Sequence, residues 1–273
     1  MTSSAFGRTP YHVATAALAV LFLFPIAWSL LASISPQAGT QQVSGFGLGN
    51  YVRLLHFGSG AVQYFLNSTI ISVVTVCFTL AISVVGGYAF ARFTFPGRDG
   101  LFLLTLAILM VPYGTLLIPM YVLLHAIGLQ NSLLGVCLVL TLFQLPFATF
   151  MMRISFESVP KELEESALVD GAGTLALLRR IFLPSVRPGL ITVALFAFLA
   201  AWNDFITPLI LLADDKQSPL PLAIANLRQQ TTFTIDYGAT EAGVVVMAVP
   251  CILIFVLLQR YYMRGFMSGA VKG

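Results

Sequence analysis

Two short stretches of the sequence have residue types and spacings suited to chemistry. The first is EESALVDGAG, Glu164 to Gly173, where adjacent carboxylates at Glu164 and Glu165 and a third at Asp170 flank very small residues. Carboxylates offer charged contacts, and Ser166, Ala167, Gly171 and Ala172 would let a neighbouring backbone approach closely. That combination suits docking of another protein better than bond breaking. The second is AWNDF, in which Trp202 can present a ring face beside the polar groups of Asn203 and Asp204. An aromatic face beside polar side chains can line a binding path. Catalytic constellations are not expected. His12, His56 and His125 are isolated, and Cys77, Cys137 and Cys251 lie singly inside apolar runs, without metal-ligand spacing or a disulfide framework.

The elements that must hold these groups are unusually apolar. The chain is 58% hydrophobic and 9% charged, against roughly 25% charged residues in an ordinary soluble domain. A soluble globule is thereby excluded. No Asp, Glu, Lys or Arg occurs between Arg53 and Arg92, or between Asp99 and Arg153. A bilayer core needs about 20 apolar residues per helix, so the second interval holds two spans with a turn at Gly128 to Ser132. The runs lack the alternation of barrel strands. The sequence therefore predicts an all-α polytopic membrane protein, a single transmembrane domain over 1–273, with six spans at about 13–33, 65–90, 101–124, 133–152, 188–212 and 242–263. The first run is too long for a cleavable leader and is expected to stay as an uncleaved anchor. Asn67 and Ser68 are expected to cap the second span. Asp204 is the only acid placed within a span. Because a carboxylate at mid-bilayer costs about 2.5–3.5 kcal/mol, it should face a partner or a water-filled cavity. Two roles stay open for Trp202, Asn203, Asp204 and Asn67: a substrate pathway, or polar groups that pack helices or form a gate. Prolines at 112, 119, 146, 208 and 250 mark kinks, either hinges or accommodated packing features.

Orientation follows from the placement of basic residues, which are retained on the cytoplasmic side. With the N-terminus inside, the inner segments hold Arg8; Arg92 and Arg98; Arg153, Lys161, Arg179, Arg180 and Arg187; and Arg260, Arg264 and Lys272. Only Arg53, Lys216 and Arg228 fall outside. Both termini and the 153–187 loop are thus expected in the cytoplasm, with external loops at 34–64 and 213–241, the second folded and hairpin-like. The net charge of +3 needs no nucleic-acid partner.

Within the 153–187 insert the pattern becomes one-sided. Ser158 is expected to cap a helix starting near Pro160, with Val159, Leu163 and either Ser166 or Ala167 forming a narrow apolar stripe. That helix should stop at Asp170–Gly171. A second helix is expected from Thr174 to about Phe182, with Leu175, Leu178, Ile181 and Phe182 on one face. Its acidic residues argue against an insert lying on anionic lipid.

EESALVDGA followed by IFLPSVRPG resembles the EAA motif of ABC importer permeases. FLNSTIISVV, GGYAFARFTFPGR, AWNDFITPLILL and the ending QRYYMRGFMSGAVKG extend the resemblance over nearly the whole chain, to the maltose-type carbohydrate branch. Ser166 stands where that family usually has Ala, and Leu178 where an aromatic is common. The resemblance implies the type I ABC importer permease fold, with the insert as a coupling helix that docks on an ATPase. Carried over by position, Glu165, Ser166, Ala167, Asp170, Gly171 and Ala172 would form that contact, braced by Leu178, Leu183 and Pro184. The tail residues Gly269, Ala270, Val271, Lys272 and Gly273 would either reach the same partner or form a basic membrane anchor. It further implies two ATPase subunits or a homodimer of one, a second related permease, an external sugar-binding protein and surrounding membrane lipid, in a bacterial or archaeal cell membrane. The chain has no G-x-x-x-x-G-K-[ST] phosphate loop, so ATP and magnesium would be bound, and ATP hydrolysed, by the separate ATPase subunit. The implied activity is import of a carbohydrate, a di- or oligosaccharide such as trehalose or maltose, by alternating access. The competing class is an ion-coupled secondary transporter or channel, for which Asp204 alone supplies an intramembrane ionisable group.

Overall fold

The computed structural model describes residues 8–36, 45–229 and 236–270, and all regular structure among them is helical. Among the described residues four helices are long and apolar enough to cross a membrane, or up to six spans if each of two bent helix pairs counts as one. The chain divides into two compact units.

The first unit comprises Met1–Val62 and Ala223–Pro250. Its first helix, α1 (Arg8–Ile34), presents Leu18, Phe22, Phe24 and Trp28 to the outside, the all-round apolarity of a helix made for hydrocarbon. A short helix, α2 (Gly49–Leu55), supplies buried Asn50, whose amide donates to the carbonyls of Ser33 at 2.8 Å and Ser35 at 3.1 Å. These are carbonyls at the end of α1 that the helix itself leaves unpaired. Arg53 on α2 grips Asp236 through two nitrogens at 2.8 and 3.0 Å, and Asp236 in turn accepts the Ala239 N–H.

The second unit comprises Gln63–Leu222 and Cys251–Gly273. Its spine is α3 (Ala61–Arg92), packed on α6 (Leu133–Glu157). A Cβ placed on Gly87 would lie 2.5 Å from the Met152 Cβ, so the absence of a side chain there sets how closely α3 and α6 approach. Between them run α4 (Arg98–Ala107), a 3-10 turn at Ile108–Met110 and α5 (Tyr113–Ala126). The insert follows as α7 (Lys161–Val169), α8 (Thr174–Leu177), a π-helical turn at Leu178–Phe182 and the single turn α9 (Leu183–Ser185). Then come α10 (Arg187–Asn203) and α11 (Ile206–Leu211), while α12 (Leu220–Gln229) and α13 (Tyr237–Ala270) each have residues in both units.

Two of the six expected spans are not continuous helices. The 101–124 run bends by 103° where Val111 turns extended ahead of Pro112, because a residue before proline is pushed out of the helical region. The 188–212 run breaks at Asp204, whose ψ of 130° leaves α11 as a separate short helix. The other helices outrun their apolar cores: α3 starts at Ala61, α6 runs to Glu157 and α13 begins at Tyr237. In the 213–241 loop the described residues form a 3-10 turn and α12 rather than a hairpin. Pro219 and Pro221 there fit the start of a helix, where a missing N–H is no loss.

Candidate functional site

The insert is built around one helix end. Pro160 (ψ 138°) precedes α7, and Glu162 and Glu164 occupy its first turn near the positive end of the helix dipole. Ser158 does not cap this helix. It closes α6 instead, with its hydroxyl donating to the Ser155 carbonyl. Val159 and Ala167 turn inward, whereas Leu163 is exposed, so the apolar stripe is shorter than the sequence pattern suggests. At the other end Asp170 is the cap and Gly171 adopts φ +79°. The Gly171 N–H donates to Leu168 O at 3.0 Å and the Ala172 N–H to Ala167 O at 2.9 Å. This is the paired Schellman closure, with Ala172 packed near Ala167.

The predicted docking residues separate into two layers. Glu165, Ser166, Asp170 and Gly171 are exposed, while Ala167 is buried and Ala172 half-buried beneath them. Leu178 and Leu183 are half-buried behind, and Pro184 is exposed. The outer layer also has an apolar part that the sequence pattern does not single out: Leu168, Val169 (87% exposed) and Leu175 all face outward. Leu175 was expected on the buried face, a place that Leu177 takes.

Also missed is what fastens the insert to α3. Arg92, in the last turn of α3, donates to the carbonyls of Phe156 at 2.5 Å and Val159 at 2.6 Å, and pairs with Glu164 at 3.2 Å. Its guanidinium lies 4.7 Å over the Phe182 ring. One turn earlier, Tyr88 meets Phe156 and Phe182 with ring centroids 5.4 and 5.2 Å apart. The signal was present in GGYAFAR, which puts an aromatic and a cation on one helix face at i, i+4 spacing.

The AWNDF residues are not gathered into one site. Trp202 is buried between Phe65, edge-on at 5.4 Å, and Phe198, stacked at 5.5 Å. Asn203 is exposed and returns its amide to Leu199 O. Asp204 alone of the three lines a cavity of about 270 Å³, together with Tyr113, Phe143, Gln144 and Val111. The Tyr113 hydroxyl donates to Asp204 Oδ1 at 2.9 Å and meets the Thr207 hydroxyl, and Asp204 Oδ2 accepts the Thr207 N–H at 3.0 Å.

Asn67 sits elsewhere and does not cap α3, which begins six residues before it. Its buried amide donates to Lys216 O at 2.8 Å and Ser218 O at 2.9 Å, while Ser68 Oγ accepts the Leu220 N–H that opens α12. Beside them the Tyr64 hydroxyl donates to Asp215 Oδ2 at 2.6 Å. Of the tail, the backbone of Gly269 and Ala270 continues α13, and Val271, Lys272 and Gly273 lie outside the described residues. Among the described residues no group of three or more His, Cys, Asp or Glu is arranged to hold a metal ion.

A family model described as a binding-protein-dependent transport system inner membrane component matches residues 82–266. The chain is 32% identical over 278 residues to the diacetylchitobiose uptake system permease protein DasC of Streptomyces coelicolor, with 100% of each chain covered. It is likewise 32% identical to the trehalose transport system permease protein SugB of Mycobacterium tuberculosis, over 92% of this chain and 93% of that one. Among solved structures it is similar to a chain of a bacterial ABC transporter involved in the import of the acidic polysaccharide alginate. The TM-score is 0.82 at 22% identity, with 96% of this chain and 98% of that one covered. At that identity the likeness is one of fold, and the fold is that of a type I ABC importer permease.

Proposed function

The chain belongs to the family of binding-protein-dependent transport system inner membrane components, and we propose that it is one of two permease subunits of an ATP-driven importer for a di- or oligosaccharide. Relatives matched along nearly their full length carry such cargo names, among them diacetylchitobiose and trehalose. Their similar identities do not rank the sugars, so trehalose and maltose are the first to test. The companion would be a related permease, and an external binding protein would deliver the cargo. A pair of ATPase subunits, or a homodimer, would bind ATP and magnesium on a separate polypeptide.

The observation that carries this proposal is the exposed glycine turn of the insert. Glu165, Ser166, Asp170 and Gly171 surround the outward-facing Val169, and Ala167 and Ala172 keep the turn thin. Such a knob, acidic at its rim and apolar at its tip, suits a groove on another protein. In this reading the insert and both termini are cytoplasmic, as the basic-residue count supports. Leu178, Leu183 and Pro184 brace the knob, and the tail from Gly269 to Gly273 lies near the same partner. ATP-driven closure of the ATPase pair would move the knob and swing α6 and α10, which are joined to its two ends, to alternate access. Asp204, with the cavity it lines, is the candidate contact with passing sugar hydroxyls; Trp202, Asn203 and Asn67 would shape the path indirectly.

The test is reconstitution of the permease pair with ATPase and binding protein in proteoliposomes, measuring uptake of a panel of labelled sugars. A di- or oligosaccharide should be taken up only with ATP inside and binding protein outside. Uptake driven by an ion gradient without ATPase would overturn the proposal.

A further inference from the structure

We propose that Arg92 is a positioning residue through which α3 receives the movement of the insert. The inference rests on the permease assignment above. The insert is covalently continuous with α6 and α10, so those helices follow it directly. α3 ends 64 to 72 residues earlier in the chain than the carbonyls and carboxylate that Arg92 holds. It packs on α6 at Gly87 and Met152, and it reaches the insert itself through side chains.

Arg92 is built for that task. Its side chain is 6% exposed and reaches three parts of the insert and its root. Nη2 bridges Phe156 O and Val159 O at the C-terminal end of α6, where the helix dipole favours a cation, and Phe156 O also accepts the Val159 N–H at 3.2 Å. Nη1 takes Glu164 of α7 at 3.2 Å, and the guanidinium plane covers Phe182 in the π-helical turn. A planar fork holds several acceptors in one geometry, which a flexible ammonium does not. The Tyr88, Phe156 and Phe182 rings close the same joint from the apolar side. A joint made of a cation, two carbonyls, a carboxylate and three rings resists shear, so α3 and α7 move as one body. The π-helical turn at Leu178–Phe182 ends in this joint at Phe182, and such turns are unusual and often mark functional positions. Beyond it the chain bends by 77° between Thr174–Ser185 and Arg187–Asn203, where the angle between insert and α10 can change.

The experiment uses the full complex with Arg92→Gln, Arg92→Lys and Glu164→Gln, reading assembled complex, basal ATP hydrolysis, and uptake per assembled complex. Nitroxides at Val85→Cys and Lys161→Cys, in a background with Cys77, Cys137 and Cys251 replaced by Ser, report the separation of α3 and α7 with and without ATP. Arg92→Gln should assemble and retain basal hydrolysis, while uptake per complex falls about tenfold or more, within the usual range of coupling between sites. The α3–α7 separation should stay fixed through the cycle in the parent and change with ATP in Arg92→Gln. Arg92→Lys should recover part of the uptake and Glu164→Gln should fall between the two. If the yield of complex drops but uptake per complex and the α3–α7 separation match the parent, Arg92 is a helix cap only and the proposal is wrong. Should Arg92→Gln not assemble, parent-like uptake and separation in both other variants overturns it equally. A parent complex that takes up no sugar is a different failure, that of the permease assignment.

Discussion

The Tyr113 hydroxyl donates to Asp204 at 2.9 Å and so ties the break before α5 to the break before α11. The same carboxylate accepts the Thr207 N–H at the start of α11, as a helix-capping acid does. Asp204→Leu removes the cap and leaves the Thr207 N–H without its side-chain acceptor, while the Tyr113 hydroxyl keeps only its contact with the Thr207 hydroxyl, a loss of about 1–3 kcal/mol. Asp204→Asn keeps an acceptor in place and should lose less. Thermal unfolding in detergent should rank the parent above Asn and Asn above Leu. Equal melting of all three would show that the tie contributes nothing to stability.

Gly87 and Met152 set the spacing of α3 and α6. A Cβ at Gly87 would meet Met152 Cβ at 2.5 Å and backbone atoms of the same helix at 3.0 Å, so a flexible side-chain end cannot simply step aside. Gly87→Ala should destabilise by about 1–3 kcal/mol through overpacking. Met152, fully buried, should be costly to truncate alone, at about 2–5 kcal/mol. The double variant should lose about the sum of the two, since the atoms that a Gly87 methyl meets, Met152 Cβ and the α6 backbone, all remain in Met152→Ala. A double variant that melts well above that sum would mean that α6 shifts to let the methyl into the space the Met152 side chain leaves.

Asn67 acts as a staple on the segment between α11 and α12. Its amide spans Lys216 O and Ser218 O, and Ser68 receives the first N–H of α12. Asn67→Leu should release the segment around Lys216 while leaving α3 in place. Tryptic cleavage at Lys216 in membranes should speed up several-fold, with cleavage elsewhere unchanged. Parent-like cleavage at that lysine would refute the staple.

Much of this arrangement was legible in the residues, and the exceptions share a cause. Helix α7 and its stop are local: Pro160, the early acids and Gly171 each act within a turn, and all fell where the pattern puts them. The breaks at Val111–Pro112 and Asp204 escaped because hydropathy reports how apolar a run is, not whether its axis continues. Proline inside a helix gives no firmer sign: Pro119, Pro146 and Pro250 stay within α5, α6 and α13, whereas Pro112 marks a 103° bend. Arg92 looked like one positive charge among many, since its partners lie far along the chain. Ser158 and Asn67 have capping chemistry, and both use it on backbone other than that expected, because helices α6 and α3 run longer than their apolar cores.

Gly171 offers the sharpest test of the docking surface. Its φ of +79° belongs to the left-handed region, and among the described residues none beyond its chain neighbours lies within 4 Å of where a Cβ would stand. A substitution is therefore strained by its backbone conformation, not by a clash within the chain. Left-handed backbone costs an ordinary L-residue about 1–2 kcal/mol, less for Asn and more for a β-branched side chain. Stability of the isolated chain should accordingly fall in the order Gly, Asn, Ala, Val. If the turn docks on an ATPase as proposed, association should follow a different order, because every added side chain projects from the exposed turn into that contact. Gly171→Asn, mild for the fold, should still weaken co-purification of the ATPase severalfold, and Gly171→Val should abolish it with membrane insertion unchanged. If ATPase recovery simply tracks the melting temperature across the series, the turn supports the fold and the docking contact lies elsewhere on the insert.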